Sequence, residues 1–178
     1  MFETLGVPVY YADLAAKQLY NTDEEIKESL IKTFGEGCYV NNRFNSTYLR
    51  QLVFNDPALL EQLNNIVHPA TIRDARKWLS AQTFPYVLKE AALIFESGSQ
   101  RDLDFIVGVS APLENRILRV MERDHLPRQD VLSRMDRQLD DKIKMRLCDA
   151  VIVNDDKTPL LPQVLALHEK LLGLARLT

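Results

Sequence analysis

The sequence predicts an α/β protein built around a parallel sheet, and three observations lead there. Four short segments, at 7–11, 86–88, 104–109 and 150–153, are rich in β-branched and aromatic residues. Their apolar runs are continuous rather than alternating, the pattern of strands covered on both faces. Helical patterns fill the intervals between them, so strands alternate with helices along the chain. A length of 178 residues suffices for one domain with a substantial core and a subdomain.

Residues 1–5 carry apolar side chains at Met1, Phe2 and Leu5 and stop at Gly6, so they read as the end of a helix. The first strand follows at 7–11, then a helix over 14–20. More than seventy residues separate the first two strands. Helical patterns at 22–34, 46–52, 57–65 and 69–82 occupy most of them. Asp56 or Asn55 before Pro57 is placed to cap the third of these. An interval this long exceeds a simple crossover and predicts a helical region, 20–83, over one end of the sheet. A second insert, 112–147, lies between the third and fourth strands and is dense in arginine: Arg116, Arg119, Arg123, Arg128, Arg134, Arg137 and Arg146. Residues 159–177 form a leucine-rich amphipathic helix that packs on the sheet.

Composition removes several classes of function. The hydrophobic fraction of 46% and charged fraction of 26% are those of a soluble globular protein. A net charge of −3 supplies no field for bulk binding of nucleic acid or membrane. No apolar run approaches the roughly 20 residues of a spanning helix, and no secretory signal opens the chain. Cys38 and Cys148 are too few and too isolated for a disulfide framework or a zinc site, and read as reduced thiols of a cytoplasmic protein.

A few residues stand where chemistry is done. Asp13 lies just beyond the carboxyl end of the first strand, where open parallel sheets bind ligands. A carboxylate there either handles the proton of a substrate hydroxyl or caps the helix over 14–20; the two roles are compatible. Arg119 and Arg123 are four apart, on a helix face that Arg116 also reaches. Such a row either clamps phosphate oxygens with forked, charge-assisted bonds or lies solvated beside Glu114, Glu122 and Asp124. Glu90 and Glu96 flank the apolar run in LKEAALIFESG, where a strand-end carboxylate holds Mg²⁺ or caps the next turn of chain. His68, before Pro69, is expected at a helix start, where a lone histidine more often packs or caps than ligates. Gly35 and Gly37 in FGEG have no strand before them and carry no phosphate-loop signal.

Taken in order, these segments resemble dephospho-coenzyme A kinase over nearly the whole chain. LGVPVYYADLAAKQL is similar to the family's segment ending in Asp-Ala-Asp, with Tyr11 in place of the first Asp and Asp13 at the second. LVFNDPALLEQLNNIVHP is similar to its phenylalanine, Asp-Pro and His-Pro stretch, with His68 and Pro69 in place. YVLKEAALIFESG resembles a strand-end run that usually reads Pro-Leu-Leu-Phe-Glu, with Ala92 for the Pro and Glu96 at the Glu. RILRVMERD matches the lid helix and sets Arg119 and Arg123 on its two arginines. Gln138 and CDAVIVND, with Asn154, fall where the family has a glutamine and an Ala-Asp-x-x-Ile-x-Asn run.

What the resemblance implies is one kinase-like domain over 1–178 with a three-layer P-loop kinase fold. Its parallel sheet carries a helical substrate-binding region and an arginine-rich lid. The implied reaction moves the γ-phosphoryl of ATP to the ribose 3′-hydroxyl of dephospho-CoA, the last step of coenzyme A synthesis, with ATP and Mg²⁺ required and no metal ligand assigned on this chain. Asp13 is implied to orient or deprotonate the acceptor hydroxyl, while Arg119 and Arg123 close over the phosphates. His68, Pro69 and Glu96 fall to the substrate side, Gln138 and Asn154 to the nucleotide side.

The family begins with a strand, a G-x-x-x-x-G-K-[ST] loop and a helix. None of the six glycines here is followed by lysine. Residue 1 then matches the late part of the family's first helix, and about twenty residues carrying the loop are expected to be absent, through truncation rather than evolved loss. Losing three charge-assisted bonds at roughly 1.5–3 kcal/mol each is about 5–9 kcal/mol, or on the order of 10³–10⁶ in rate. The chain as written is therefore expected to be inactive. With the central first strand absent, neighbouring strands are expected to close the gap, or a second copy to cover the incomplete sheet. Two alternatives remain: another P-loop metabolite kinase, and a non-catalytic module that binds CoA-like ligands or nucleotides.

Overall fold

A computed structural model describes residues 1–54, 56–136 and 138–177. The chain divides into two compact units, Gly6–Ala91 and, with Met1–Leu5, the chain from Ala92 onward.

In the Gly6–Ala91 unit, β1 (Val9–Tyr11) runs directly into α1 (Ala12–Thr22). There follow α2 (Glu24–Phe34), β2 (Tyr39–Val40), β3 (Arg43–Phe44), α3 (Ser46–Val53), α4 (Pro57–Ser80) and β4 (Leu88–Glu90). β1 pairs in parallel with β4, Val9 opposite Leu88 and Tyr11 opposite Glu90, so the two strands end level. The core is helical. Ile26, Leu30 and Phe34, four apart on α2, meet Leu63, Val67 and Ala70 on α4, with Cys38 and Leu49 closing the cluster. Side-chain caps fix the helix starts: Asp23 accepts from the Ile26 N–H, Asn45 from that of Tyr48, and Asp56 from those of Ala58 and Leu59. Asn55, the other cap candidate, lies outside the described residues.

Two departures from expectation have local causes. α4 is one helix where two were expected, and Pro69 sits inside it. Buried Val67 and Ala70 flank the proline, so packing holds the helix together across the missing N–H. β2 and β3 form an unexpected antiparallel hairpin. Its turn residues Asn41 and Asn42 both have positive φ, 50° and 62°, which a primed two-residue turn requires and asparagine tolerates. Gly37 serves packing: a Cβ there would stand 2.5 Å from the Tyr48 ring, whose hydroxyl donates to the Phe34 carbonyl.

In the other unit, Glu3–Leu5 forms only a single 3-10 turn, where residues 1–5 were expected to be the end of an α-helix. β5 (Val107–Ser110) leads into α5 (Leu113–Asp124), α6 (Arg128–Met135) and α7 (Asp141–Leu147); β6 (Ala150–Val153) and α8 (Leu160–Ala175) follow. The arginine-rich insert is thus three helices; its Arg137 lies outside the described residues. β5 and β6 are parallel, from Val107 opposite Ala150 to Ser110 opposite Val153. β5 starts later than its apolar run because the Asp149 carboxylate takes the Ile106 N–H. At Gly108 a Cβ would come within 2.7 Å of Met145 Sδ, so glycine lets α7 lie close against β5. Val164, Leu167 and Leu171 form the buried stripe of α8, which packs on β6. Among the described residues no helix is long and apolar enough to cross a membrane.

Candidate functional site

Helix α5 presents Arg116, Arg119 and Arg123 about one turn apart, with Ile117 on the same helix fully buried. Each arginine finds an acid. Arg116 bonds Asp141 at 2.8 Å and ties α5 to α7, while its Nε has no hydrogen-bond partner. Arg119 reaches the end of β6, donating to the Asn154 carbonyl at 3.2 Å, to Asn154 Oδ1 at 3.4 Å and to Asp156 Oδ1 at 2.6 Å. Asn154 is itself fixed, its N–H extending the ladder to the Ser110 carbonyl at 2.7 Å. Arg119 and Asn154 therefore meet at the carboxyl ends of β5 and β6, the usual ligand edge of a parallel sheet. Arg123 does not join them. It is 73% exposed and forks onto its neighbour Asp124, whose carboxyl that bond holds below its usual range.

Glu96 and Gln138 form a second group around Lys144. The Glu96 carboxylate accepts the Leu139 N–H at 2.9 Å and pairs with Lys144 at 3.3 Å, and Gln138 Oε1 accepts from the same ammonium at 3.2 Å. Desolvation pushes the Glu96 carboxyl up, but the N–H bond and Lys144 outweigh it and leave it below its ordinary value. Glu96 thus clamps the segment that returns from α6 to α7.

In the Gly6–Ala91 unit, Asp13 is exposed in the first turn of α1. The expected cap role is corrected: α1 begins at Ala12 with Tyr11 in the cap position and no side-chain cap bond, because β1 passes into the helix without a loop. Asp13 still faces the positive end of the helix, two residues past the level where β1 and Glu90 of β4 end. His68 is likewise corrected, from a helix start to an exposed position inside α4. Pro69 lines a hollow of about 170 Å³ with Asn65, Ile26, Glu25 and Arg73. Proline has no N–H to give the Asn65 carbonyl, the acceptor one turn back along the helix. A larger hollow, about 530 Å³, is lined by Tyr10, Leu14, Gln18, Asp74, Lys77 and Trp78. Tyr10 donates to Asp74 at 2.7 Å; burial and then that carboxylate push its phenol up. Asp74, Lys77 and Trp78 share one helix face, a spacing visible in the sequence but not singled out.

The family that this chain matches is one of kinases, a class of phosphotransferases. The family model for dephospho-CoA kinase matches residues 1–159, and the chain belongs to that family. A dephospho-CoA kinase of Bacteroides fragilis is 34% identical over 168 residues, covering 94% of this chain and 82% of the relative. One of Salinibacter ruber is 32% identical over 157 residues, covering 86% and 79%. A Thermus thermophilus protein of known crystal structure matches with a TM-score of 0.83 at 33% identity, over 99% of this chain and 88% of its own. The dephospho-CoA kinase from Campylobacter jejuni matches at 0.60 and 25% identity, over 86% and 78%.

Proposed function

We propose that this chain serves the transfer of the γ-phosphoryl group of ATP to the ribose 3′-hydroxyl of dephospho-CoA. The observation that carries the reading is Arg119 held by Asn154 at the carboxyl ends of β5 and β6, in a member of the dephospho-CoA kinase family. Arg119 there neutralises charge that shifts between oxygens as phosphoryl moves. Arg123, one turn further on, joins it by releasing Asp124. Gln138 and Asn154 line the nucleotide side. Asp13 orients the acceptor hydroxyl and receives its proton, while His68, Pro69 and the hollow beside Pro69 shape the acceptor site, and Glu96 is assigned to substrate binding.

Magnesium keeps most of its waters and leans on phosphate oxygens, asking for one or two protein carboxylates at most. Among the described residues no group of three or more His, Cys, Asp or Glu is gathered for a metal. Asp13 and Glu90, near the level ends of β1 and β4, suit that lesser demand, and the ion would supply charge neutralisation at the phosphates. Cys38 and Cys148 are free thiols, which fits a reducing compartment such as the cytoplasm. Val109, Val151 and Val153 are exposed on the β5–β6 pair; a second copy covering them would sediment as a dimer, and a monomer would count against it.

Since no glycine is followed by lysine, these residues hold no G-x-x-x-x-G-K-[ST] loop, which favours acceptor binding with little turnover. Phosphorus NMR of dephospho-CoA with MgATP tests both statements. The 178 residues are expected to yield little 3′-phosphate, and the same chain preceded by a strand, such a loop and a helix to yield it readily. Failure of the extended chain with every acceptor tried sinks the kinase reading. Rapid turnover by the 178 residues alone sinks the inactivity.

A further inference from the structure

Arg119 does not stand as a free cation. Its Nη2 donates to Asp156 Oδ1 at 2.6 Å, the shortest of its three bonds. Asp156 is held in turn by Asn115 Nδ2 at 2.8 Å, four residues before Arg119 on α5. The backbone at Asp156 is left-handed, φ 65°, a conformation that among residues with side chains only Asn and Asp adopt readily. Asp155 beside it spends its own carboxylate on the turn, taking the N–H groups of Lys157 and Thr158. The loop after β6 therefore holds one carboxylate against the lid guanidinium and another to keep the loop in shape.

We infer that Asp156 is a displaceable counter-ion for Arg119, through which the lid admits multiply charged phosphate chains and turns away singly charged anions. The inference rests on Arg119 being a phosphate ligand. The Nη2 edge that a phosphate needs is occupied, so an incoming anion must take the carboxylate's place. Asp156 is mostly exposed, and ion pairs of that kind are weak enough to exchange. A triphosphate brings several charges to the exchange and wins it. A singly charged anion offers Arg119 nothing the carboxylate does not already provide.

Calorimetry with inorganic triphosphate on the 178-residue chain tests this. Asp156→Asn removes the charge, keeps an oxygen for Asn115 and tolerates the left-handed backbone, so the loop is retained. Triphosphate is expected to bind Asp156→Asn tighter by on the order of three- to fivefold, and Arg119→Ala more weakly than the parent. In the Arg119→Ala background the gain from Asp156→Asn is expected to vanish, as coupled residues require. Weaker binding by Arg119→Ala with no gain in Asp156→Asn, or an equal gain with and without Arg119, overturns the counter-ion role alone. Undiminished binding by Arg119→Ala, or no binding by parent and variants alike, overturns the reading of Arg119 and the counter-ion role with it.

Discussion

Replacing Glu96 asks whether the segment that returns from α6 to α7 is held by one side chain. Its carboxylate takes the Leu139 N–H at 2.9 Å and faces Lys144 at 3.3 Å, with both side chains mostly covered, at 20% and 15% exposed. A hydrogen bond to a charged group contributes about 1.5–3 kcal/mol when buried, and an ion pair that water still reaches about 0.5 kcal/mol. The Leu139 bond is open to water, so its share falls at the low end. Glu96→Ala is expected to cost about 2 kcal/mol locally, and Glu96→Gln, which keeps an acceptor oxygen, about 1 kcal/mol. Amide hydrogen exchange at Leu139 reads this directly, with protection falling roughly tenfold or more for alanine. The pH dependence has a definite sign. A carboxyl lowered by folding stabilises the fold above its unfolded pKa, and that contribution fades as pH drops through the lower folded value. Leu139 protection should therefore decline in acid in the parent and stay flat in Glu96→Gln. Equal protection in parent and alanine variant, or the same acid decline with glutamine, would refute the clamp.

Further expectations concern the frame that positions these groups. Leu30, with no exposed surface in the helical core, should cost about 3–5 kcal/mol as alanine in urea melts followed by Trp78 fluorescence. Asp56→Ala, which removes the acceptor for two N–H groups of α4, should cost about 1 kcal/mol in the same melts. Gly37→Ala must push Tyr48 aside and should cost about 1–3 kcal/mol; an unchanged midpoint would mean that ring moves freely.

The α/β pattern and the parallel pairing were legible from continuous apolar runs alternating with helical ones, although Val109, Val151 and Val153 in those runs stay exposed. β6 came out at Ala150–Val153 as read, framed by Asp149 and Asn154. β4 lies two residues beyond its expected start, since pairing with Val9–Tyr11 rather than the apolar content of Tyr86 and Val87 sets its register. The hairpin was signalled by Asn41-Asn42, but two-residue strands leave no periodicity to see. Pro69 read as a boundary because the local rule says so, and packing across it overrode that rule. At the candidate site, helical spacing singled out Arg119 and the family resemblance Asn154, and the structure brings the two together. Asp156, Asn115 and Lys144 could not be found in this way, because their partners lie far along the chain: Arg119 and Asp156 are 37 residues apart and Asn115 and Asp156 are 41.

Binding of dephospho-CoA to the 178-residue chain, followed by calorimetry, tests the central claim most directly. If Asp13 serves the acceptor as proposed, this kinase-family chain should give a saturable one-to-one isotherm, weakened up to about tenfold by Asp13→Ala through loss of one hydrogen bond. A well-folded protein that takes up no dephospho-CoA, or binds it equally well without the Asp13 carboxylate, would contradict the account.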